Sequence, residues 1–448
     1  MAANPSKGHQ LPRHISDIVI VGGGVAGCAR RTVVLLEKSL AQPERVVGEL
    51  LHPGGVHALH SLGMGDCLKN IDAVPCHGYR VSYFNETVNI PYPDDPNAPG
   101  ERPKGCSFQH GRYIQNLRQA AANAPNVTVV GAKATDLLRD ERTGKVIGVL
   151  AYNAGDSRKA TEYYGSLTIG CDGYASKFRK KYLPHKPSSQ SKFWALELIN
   201  AKLPEPYYGH VFLSDDPPIL VYQISPRQTR IFLDVPTGLP SASPASGGIK
   251  AHMLNVFLPR LPSGCQNSFR QAVARGKFKS MPNSILPPSQ QKVPDLLFLG
   301  DALNMRHPLT GGGMTVAFND VLLISKLLAP ENVLSLDDSN AVLEQIGRFH
   351  WARKQGFSLI NILAMALYTL FAAKDTTCKQ EPCGMLAVLI RSSWVLVHRF
   401  FAVTFYSVWL VLAEAPTWKI PYEVVTATLI IWKACYVIGP YLIWELMP

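Results

Sequence analysis

The 448-residue sequence predicts a layered α/β or α+β fold with glycine-rich loops at the ends of two strands. Strand and helix signals alternate along most of the chain. Two buried apolar runs, residues 18–21 and 296–299, each lead directly into a cluster of glycines. From residue 355 onward charged residues become sparse and aromatic residues frequent. These observations predict a nucleotide-binding type of core followed by an apolar C-terminal region.

The first glycine cluster has the spacing of a dinucleotide-binding motif. Gly22, Gly24 and Gly27 follow the strand at residues 18–21, and Glu37 ends the next predicted strand. Glycines at this spacing let the backbone approach a pyrophosphate, and an acidic residue at the end of the second strand binds ribose hydroxyls.

The connection between these two strands is too short for the usual helix. Glu37 lies thirteen residues after Gly24, whereas about 20 are expected. A parallel crossover needs about ten or more residues, usually as a helix. About three helical turns are therefore missing, given roughly 3.6 residues per turn. A splicing or gene-model error is the first explanation, and a natural inactive variant is the second.

The second glycine cluster predicts a site for a flavin. Asp301 follows the strand at residues 296–299, and a polar loop then leads to Gly311, Gly312, Gly313 and Met314. Glycines without a Cβ allow backbone N–H groups to approach a ligand, and the helix start behind them favours negative charge. Asp301 can accept hydrogen bonds from sugar-alcohol hydroxyls. An ordinary strand–loop–helix connection would explain the same pattern.

The intervening sequence supplies the remaining layers. Alternating polar and apolar residues predict a hairpin, amphipathic spacing predicts a helix, and short β-branched runs predict strands. A β-rich stretch at residues 193–235 is expected to form a second, substrate-facing layer. The predicted elements are a helix at 54–67, a hairpin at 78–90, a helix at 112–124, strands at 127–130, 146–152 and 167–169, and a helix at 315–328.

Composition excludes several classes of protein. The formal net charge is +12, but no block of Lys and Arg explains it, so a nucleic-acid partner is not expected. The charge suits an anionic membrane surface or an acidic protein partner, and equally suits solubility. Nine scattered cysteines without a CxxC pair predict neither a disulfide framework nor a metal site. Residues 1–16 are polar and contain no secretory signal.

The C-terminal region is expected to associate with a membrane. Residues 400–413 carry no charge, and residues 424–432 are apolar before Lys433 interrupts them. A membrane-spanning helix needs about 20 consecutive apolar residues, and neither run reaches that length without interruption by charged residues. Helices embedded in one leaflet are therefore preferred. A single span and a buried soluble helical domain are the alternatives.

Taken together, the ordered motifs resemble the squalene monooxygenase (squalene epoxidase) family in its fungal form. The resemblance runs from about residue 17 to the C-terminus, and its longest motif begins at Asn304. The motifs are VGELLHPGG from Val47, GY at Gly78, IPYP from Ile90, GCDG from Gly170, SKFR from Ser176, and NMRHPLTGGGMTVAF from Asn304.

This resemblance implies an α/β (α+β) FAD-binding flavoprotein of the p-hydroxybenzoate hydroxylase type, with a β-rich substrate domain and C-terminal membrane-associated helices. It also implies O₂-dependent epoxidation of squalene to (S)-2,3-oxidosqualene in ergosterol biosynthesis. NADPH is the implied indirect electron donor, through NADPH-cytochrome P450 reductase. The implied location is the endoplasmic reticulum membrane, with membrane lipid as a partner and the catalytic domain facing the cytosol.

The resemblance also assigns roles to individual residues. Tyr79 matches a tyrosine of the substrate pocket, and His52 stands beside it where the family usually has Gln. The other matched residues are expected to bind the cofactor: Gly22, Gly24, Gly27, Glu37, Lys38 (where Arg is common), Arg45, Arg118, Asp301, Gly311, Gly312, Gly313 and Met314. His307 and His350 are expected to be structural, and no metal ligands are predicted.

The predicted organisation divides the chain into seven stretches. They are a polar tail at 1–16, FAD-binding parts at 17–75, 111–190 and 291–345, a substrate-domain hairpin at 76–110, the β-rich substrate domain at 191–290, and the helical membrane region at 346–448. Two other functions remain open. One is another FAD enzyme, such as an aromatic hydroxylase or an isoprenoid reductase. The other is a membrane-bound relic or interaction protein that the short crossover has impaired.

Overall fold

A computed structural model describes residues 13–23, 31–83, 86–95, 100–153, 156–214 and 216–372. Its strands are β1 (Arg13–Val21), β2 (Val33–Glu37), β3 (Leu50–Leu51), β4 (Val74–Cys76), β5 (Gly78–Tyr83), β6 (Glu86–Pro91), β7 (Gly105–Ser107), β8 (Val127–Arg139), β9 (Val146–Asn153), β10 (Asp156–Gly170), β11 (Ser188–Ile199), β12 (Gly209–Leu213), β13 (Ile219–Gln223), β14 (Gln228–Pro236), β15 (Lys279–Ile285) and β16 (Leu296–Phe298). Its α-helices are α1 (Pro53–Ser61), α2 (His110–Asn123), α3 (Arg179–Tyr182), α4 (Gly248–His252), α5 (Ser263–Arg275), α6 (Gly313–Leu327) and α7 (Ser339–Ala372).

A parallel sheet in the spatial order β8-β2-β1-β10-β16 forms the first layer. The sequences of its central strands are continuous apolar runs because both faces of the sheet are covered. Val19 and Leu297, for example, are completely buried. The carboxyl ends of β1, β10 and β16 lie at one edge, which therefore brings together the loops that follow them.

Three strands of this sheet, β1, β8 and β10, extend well beyond the ranges that the sequence predicts. The first part of β8 pairs with β2, and its second part continues into an antiparallel pairing with β9. The first part of β10 pairs with β9 and its second part with β1. The prediction of a strand at 127–130 was therefore too short. The β-branched run at 127–130 marks only the part that pairs with β2, whereas the extension mixes the buried Ala132 and Leu137 with intermediate and exposed residues and so shows no clear pattern.

β1 and β2 are adjacent and parallel, as the dinucleotide motif requires. Ile18 pairs with Val33 and Val21 with Leu36. Residues 24–30 lie outside the described part of the chain, so Gly24, Gly27 and the predicted absence of a helix cannot be compared with the structure. The described residues on either side, 22–23 and 31–32, are not helical.

A second sheet has the order β15-β11-β14-β13-β12-β5-β6. It unites the predicted hairpin at 78–90 with the β-rich stretch at 193–235, because β5 pairs in parallel with β12. One face packs on α5 through residues such as Phe269 and Leu233. The other face, including Phe193 and Phe232, turns toward the first layer. A third, small sheet has the order β3-β7-β4.

The helices α6 and α7 complete the described fold. α6 begins at Gly313, two residues before the predicted start, because Gly312 ahead of it already lies in the right-handed helical region of backbone angles. Within the described residues, no helix has the length and apolar character needed to cross a bilayer. The predicted membrane region at 346–448 overlaps α7, and its remainder from residue 373 lies outside the described residues.

Candidate flavin and substrate site

A cavity of about 510 Å³ lies between the carboxyl edge of the first sheet, the start of α6 and the inner face of the second sheet. One part of its lining consists of the glycine loop and Asp301. Another part is apolar and aromatic, including Phe193, Leu220 and Phe232. Such a cavity can bind a ligand whose polar end faces the glycine loop, together with a second, hydrophobic molecule beside it.

The predicted glycine loop forms the polar wall. A short 3₁₀ turn, Pro308–Thr310, ends at Gly311, whose φ of +65° lies in the left-handed region. A Cβ at Gly311 would stand 3.3 Å from His52 Nε2, so both backbone conformation and space favour glycine there. Gly312 caps α6 without a side-chain hydrogen bond. The first N–H groups of α6 therefore remain available to an electron-rich ligand.

Tyr79, His52 and Thr310 meet at this wall. The Tyr79 hydroxyl donates to the Thr310 carbonyl oxygen at 3.1 Å and lies 3.0 Å from His52 Nε2. His52 precedes α1, Tyr79 is in β5, and Thr310 is in the glycine loop. The two residues that the family resemblance places together are thus in contact, with His in place of Gln. Burial lowers the pKa of His52 to about 4 and raises that of Tyr79, so the pair is neutral at physiological pH.

Asp301 lies in the turn that follows β16 and forms an ion pair with Arg45, with Nη2 and Oδ2 3.4 Å apart. Both side chains are more than a third exposed, so this pair contributes little stability and leaves the carboxylate accessible. Gly300, just before it, has a φ of +61°. The structure thus brings Asp301 and Arg45 together at the cavity, whose lining includes both.

Arg179 is a site residue to which the sequence analysis gave no role. Its side chain is buried, and Nη1 donates to the Asp301 carbonyl at 3.0 Å. Nη2 donates to the Tyr174 carbonyl at 2.6 Å. The guanidinium therefore joins the loop after β10 to the loop after β16. The motif SKFR contained this residue, but nothing local indicated where its side chain would point.

Asp172 starts the loop after β10. Burial raises the pKa of Asp172, and a hydrogen bond with Ser176 opposes that shift. Its Oδ1 atom is buried and has no hydrogen-bond partner within the described residues. Ser176 Oγ also accepts from the Arg179 backbone N–H at 3.1 Å. The turn that contains Asp172 and Ser176 therefore holds the Arg179 backbone in place.

The predicted ribose-binding end lies at β1 and β2. Glu37 Oε2 accepts from the Gly23 N–H at 2.8 Å and lies 3.4 Å from Arg118 Nη2. Gly22 has a φ of +102°, and a Cβ there would approach the Cys171 carbonyl oxygen to 2.4 Å. The Arg118 side chain is largely buried, with 11% of its surface exposed. Lys38 is exposed.

The residues present fit a flavin dinucleotide. Arg118 Nε, beside Glu37, and Thr310 Oγ1, in the glycine loop, are buried without hydrogen-bond partners in the described part of the chain. A buried unsatisfied donor or acceptor costs about 1–3 kcal/mol unless a ligand satisfies it. Together with the glycine cradle at Gly311, they match a ligand with phosphate and ring heteroatoms.

A buried ion pair joins the segment before β3 to the second sheet at the wall of the cavity, whose lining includes Glu49. Arg230 on β14 donates to Glu49 through Nε at 2.7 Å and Nη2 at 2.9 Å. Both side chains are less than one-tenth exposed. Sequence reasoning missed this pair because 181 residues separate the partners. It fixes the segment before His52 against the second sheet.

Comparisons with known proteins agree with this geometry. A family model described as squalene epoxidase matches residues 164–425. The chain is 48% identical over 481 residues to squalene epoxidase erg1 of Aspergillus fumigatus, with 99% of each chain covered. It is 37% identical to squalene epoxidase ERG1 of Saccharomyces cerevisiae, with 96% of each covered. It is 34% identical to squalene monooxygenase of Mus musculus, covering 96% of this chain and 78% of the mouse protein.

Solved structures show the same fold at low sequence identity. PqsL, a probable FAD-dependent monooxygenase from Pseudomonas aeruginosa, has a TM-score of 0.65 at 18% identity and covers 81% of this chain and 98% of its own. The p-nitrophenol 4-monooxygenase PnpA from Pseudomonas putida has a TM-score of 0.65 at 15% identity, with 88% and 98% covered. The described fold is therefore that of FAD-dependent monooxygenases.

Proposed function

The chain belongs to the squalene epoxidase family, and we propose that it catalyses the FAD-dependent epoxidation of squalene in sterol biosynthesis. The observation that carries this function is the cavity itself. It places Asp301 and the Gly311–Gly313 backbone opposite an apolar surface that includes Phe193 and Phe232. A hydrocarbon substrate has no polar group to recognise, so shape and apolar burial must position it.

The residues divide the work between the two halves of the site. Glu37 and Arg118 would hold the adenosine and phosphate end of FAD, and Asp301 with the Gly311–Met314 turn would hold the flavin end. FAD supplies the electron transfer and the dioxygen activation when bound. The Tyr79 hydroxyl keeps its proton and donates a hydrogen bond to the Thr310 carbonyl oxygen, and His52 Nε2 lies beside that hydroxyl. The aromatic wall excludes water from the reacting alkene.

We also propose NADPH as the indirect electron donor, with NADPH-cytochrome P450 reductase as the protein partner. The net charge of +12 suits an acidic protein surface or an anionic membrane. A location at the endoplasmic reticulum membrane is supported by the apolar sequence between residues 400 and 444. A substrate as insoluble as squalene would then enter the cavity from lipid.

A reconstitution experiment tests the enzyme function. The purified protein is incubated with FAD, and its visible spectrum is recorded after unbound flavin has been removed. It is then supplied with squalene, O₂, NADPH and the reductase, and the products are separated by chromatography. Formation of 2,3-oxidosqualene that depends on every component is expected. Bound flavin with a different product would favour another FAD enzyme.

A relic without catalytic activity is the second candidate, and the short connection between β1 and β2 favours it. The match to the Aspergillus fumigatus relative extends over 481 residues, more than the 448 of this chain, so the relative has residues without a counterpart here. If the protein stays colourless after incubation with FAD, the relic is correct. Restoring a helix-length insertion after Gly27 should then restore flavin binding.

A further inference from the structure

His307 is a buried residue of the long family motif, and the proposed reaction gives it no role. It directly precedes the Pro308–Thr310 turn, lines the cavity, and is only 1% exposed. Its ring stacks on Tyr368 of α7, with centroids 3.7 Å apart and planes 13° from parallel. The Phe193 ring meets it edge-on at 5.6 Å. The imidazole is therefore held by aromatic rings from α7 and from the second sheet.

The hydrogen bonds of the ring fix where its proton lies. The Leu309 backbone N–H donates to His307 Nδ1 at 3.2 Å, so Nδ1 is an acceptor and carries no proton. Burial lowers the pKa of His307 to about 3, which keeps the ring neutral at physiological pH. A neutral imidazole with an accepting Nδ1 must carry its proton on Nε2. His307 is thus a permanent donor at Nε2.

That donor has no partner in the described part of the chain. The Nε2 atom is buried and makes no hydrogen bond there. Leaving such a group unsatisfied costs about 1–3 kcal/mol. Flipping the ring would break the hydrogen bond from the Leu309 N–H to Nδ1, so a flip would only exchange one unsatisfied group for another. A buried donor of this kind is expected where a bound ligand supplies the acceptor.

The neighbouring residues narrow the chemistry of that ligand. The cavity lining near His307 is apolar and includes Phe193, Leu220, Phe232 and Leu309, which offer no side-chain acceptor. Squalene offers none either. A flavin ring carries carbonyl oxygens and ring nitrogens, and the product carries an epoxide oxygen.

We propose that His307 Nε2–H donates a hydrogen bond to a neutral acceptor atom of a molecule bound in this cavity, either on the flavin ring or on the epoxide. This inference rests on the proposed function. His307 is then a residue of the reaction site rather than a purely structural histidine, which revises the sequence-based expectation.

Tyr368 acts as the positioning residue for this donor. It hydrogen-bonds Asp234 on β14, whose Oδ1 atom also accepts from Asn283 Nδ2 at 2.9 Å. Tyr368 is thereby tied to the second sheet while its ring covers His307. α7 thus helps to hold the His307 ring, although none of its described side chains lines the cavity.

The test compares variants that keep or lose a donor at the position of Nε2. His307→Phe keeps a stacking ring without any donor, His307→Gln keeps an amide donor at similar reach, and His307→Asn keeps polarity with a shorter reach. His350→Phe is the matched control, because His350 is also buried and its Nε2 has no partner among the described residues, but His350 is not part of the described cavity lining. Thermal melting establishes that each variant folds.

Two affinities are measured for each protein: that of FAD, and that of 2,3-oxidosqualene for the flavin-loaded form. His307→Phe and His307→Asn should weaken one of them by about tenfold, the equivalent of about 1.4 kcal/mol, while His307→Gln and His350→Phe stay within about threefold of the wild type. A loss in FAD affinity assigns the acceptor to the flavin, and a loss in oxidosqualene affinity alone assigns it to the epoxide.

If both affinities of His307→Asn and of any folded His307→Phe stay within about twofold of the wild type, the inference is wrong while the proposed function stands. A wild-type protein that binds no flavin overturns both.

Discussion

Arg179 and Asp301 are 122 residues apart in sequence, yet the Arg179 guanidinium donates to the Asp301 carbonyl at 3.0 Å. The same guanidinium binds the Tyr174 carbonyl. One planar, buried cation therefore sets the distance between two loops at the flavin end of the site. Lysine could satisfy only one of these carbonyls with good geometry, because its ammonium lacks the guanidinium fork.

We therefore expect Arg179→Lys to weaken FAD binding by about tenfold or more, since a hydrogen bond to a charged group contributes about 1.5–3 kcal/mol. Titration of the apoprotein with FAD, followed by flavin fluorescence, measures the effect. Arg142→Lys, in the exposed turn between β8 and β9, is the control and should bind FAD normally. Equal affinities for the two variants would show that Arg179 does not position these loops.

The second prediction concerns Gly311, where the effect of backbone strain can be distinguished from the effect of a close contact with His52. Gly311→Ala should destabilise the protein by about 1–2 kcal/mol, the cost of a left-handed backbone for a residue with a Cβ. It should also reduce FAD affinity, because the new Cβ would stand 3.3 Å from His52 Nε2.

Gly144→Ala provides the control for that strain. Gly144 has a φ of +71° in an exposed turn, and its nearest neighbour would be 3.8 Å away. This variant should show a similar loss in the free energy of unfolding and unchanged FAD affinity. If both variants bind FAD alike, the close approach at Gly311 has no bearing on the cofactor.

The third prediction is a pH dependence from Asp234, which lies beneath α7. Burial raises the pKa of Asp234 to about 6. A folded-state pKa above the unfolded value of about 3.9 means that the folded protein binds more protons. The stabilisation from the protonated carboxyl is complete below about pH 4 and is lost as the pH rises through about 6, with a total of about 3 kcal/mol.

Asp234→Asn should remove this contribution. Urea unfolding at pH 4, 5, 6 and 7 should give a wild-type free energy of unfolding that falls with rising pH relative to the variant. Asp140→Asn is the control with the opposite sign, because hydrogen bonds in its turn lower the pKa of Asp140. A constant difference between wild type and Asp234→Asn across this range would refute the prediction.

The fourth prediction concerns the buried pair of Glu49 and Arg230. Removing one partner leaves an uncompensated buried charge, so Arg230→Met alone should destabilise the protein by about 3–5 kcal/mol. The double variant Glu49→Gln, Arg230→Met should recover part of that loss, because no charge then remains unpaired.

A double-mutant cycle of unfolding free energies measures the coupling, which is expected to exceed about 2 kcal/mol. Arg348 and Glu344 form an exposed pair on α7 and provide the comparison, with an expected coupling below about 1 kcal/mol. Similar coupling energies for the two pairs would mean that burial adds nothing to the Glu49–Arg230 interaction.

The amino-acid sequence by itself determined the local elements and the family. Runs such as residues 18–21 and 296–299 show buried strands because periodicity is a property of neighbouring residues. The glycines at 311–313 predict a tight turn for the same reason, because a turn depends on the backbone angles of only a few neighbouring residues. The observed elements differ from the predicted ones mainly at their ends, as in β8 and α6.

Only the tertiary structure decided which distant side chains meet. It showed that His52 contacts Tyr79, that Arg179 joins two loops, and that the His307 Nε2 donor has no partner among the residues that the structure describes. Each of these depends on strand register and helix packing, which bring together residues far apart in the chain. A single chain contains no local pattern that reports such contacts, because they are fixed by how all the layers pack at once.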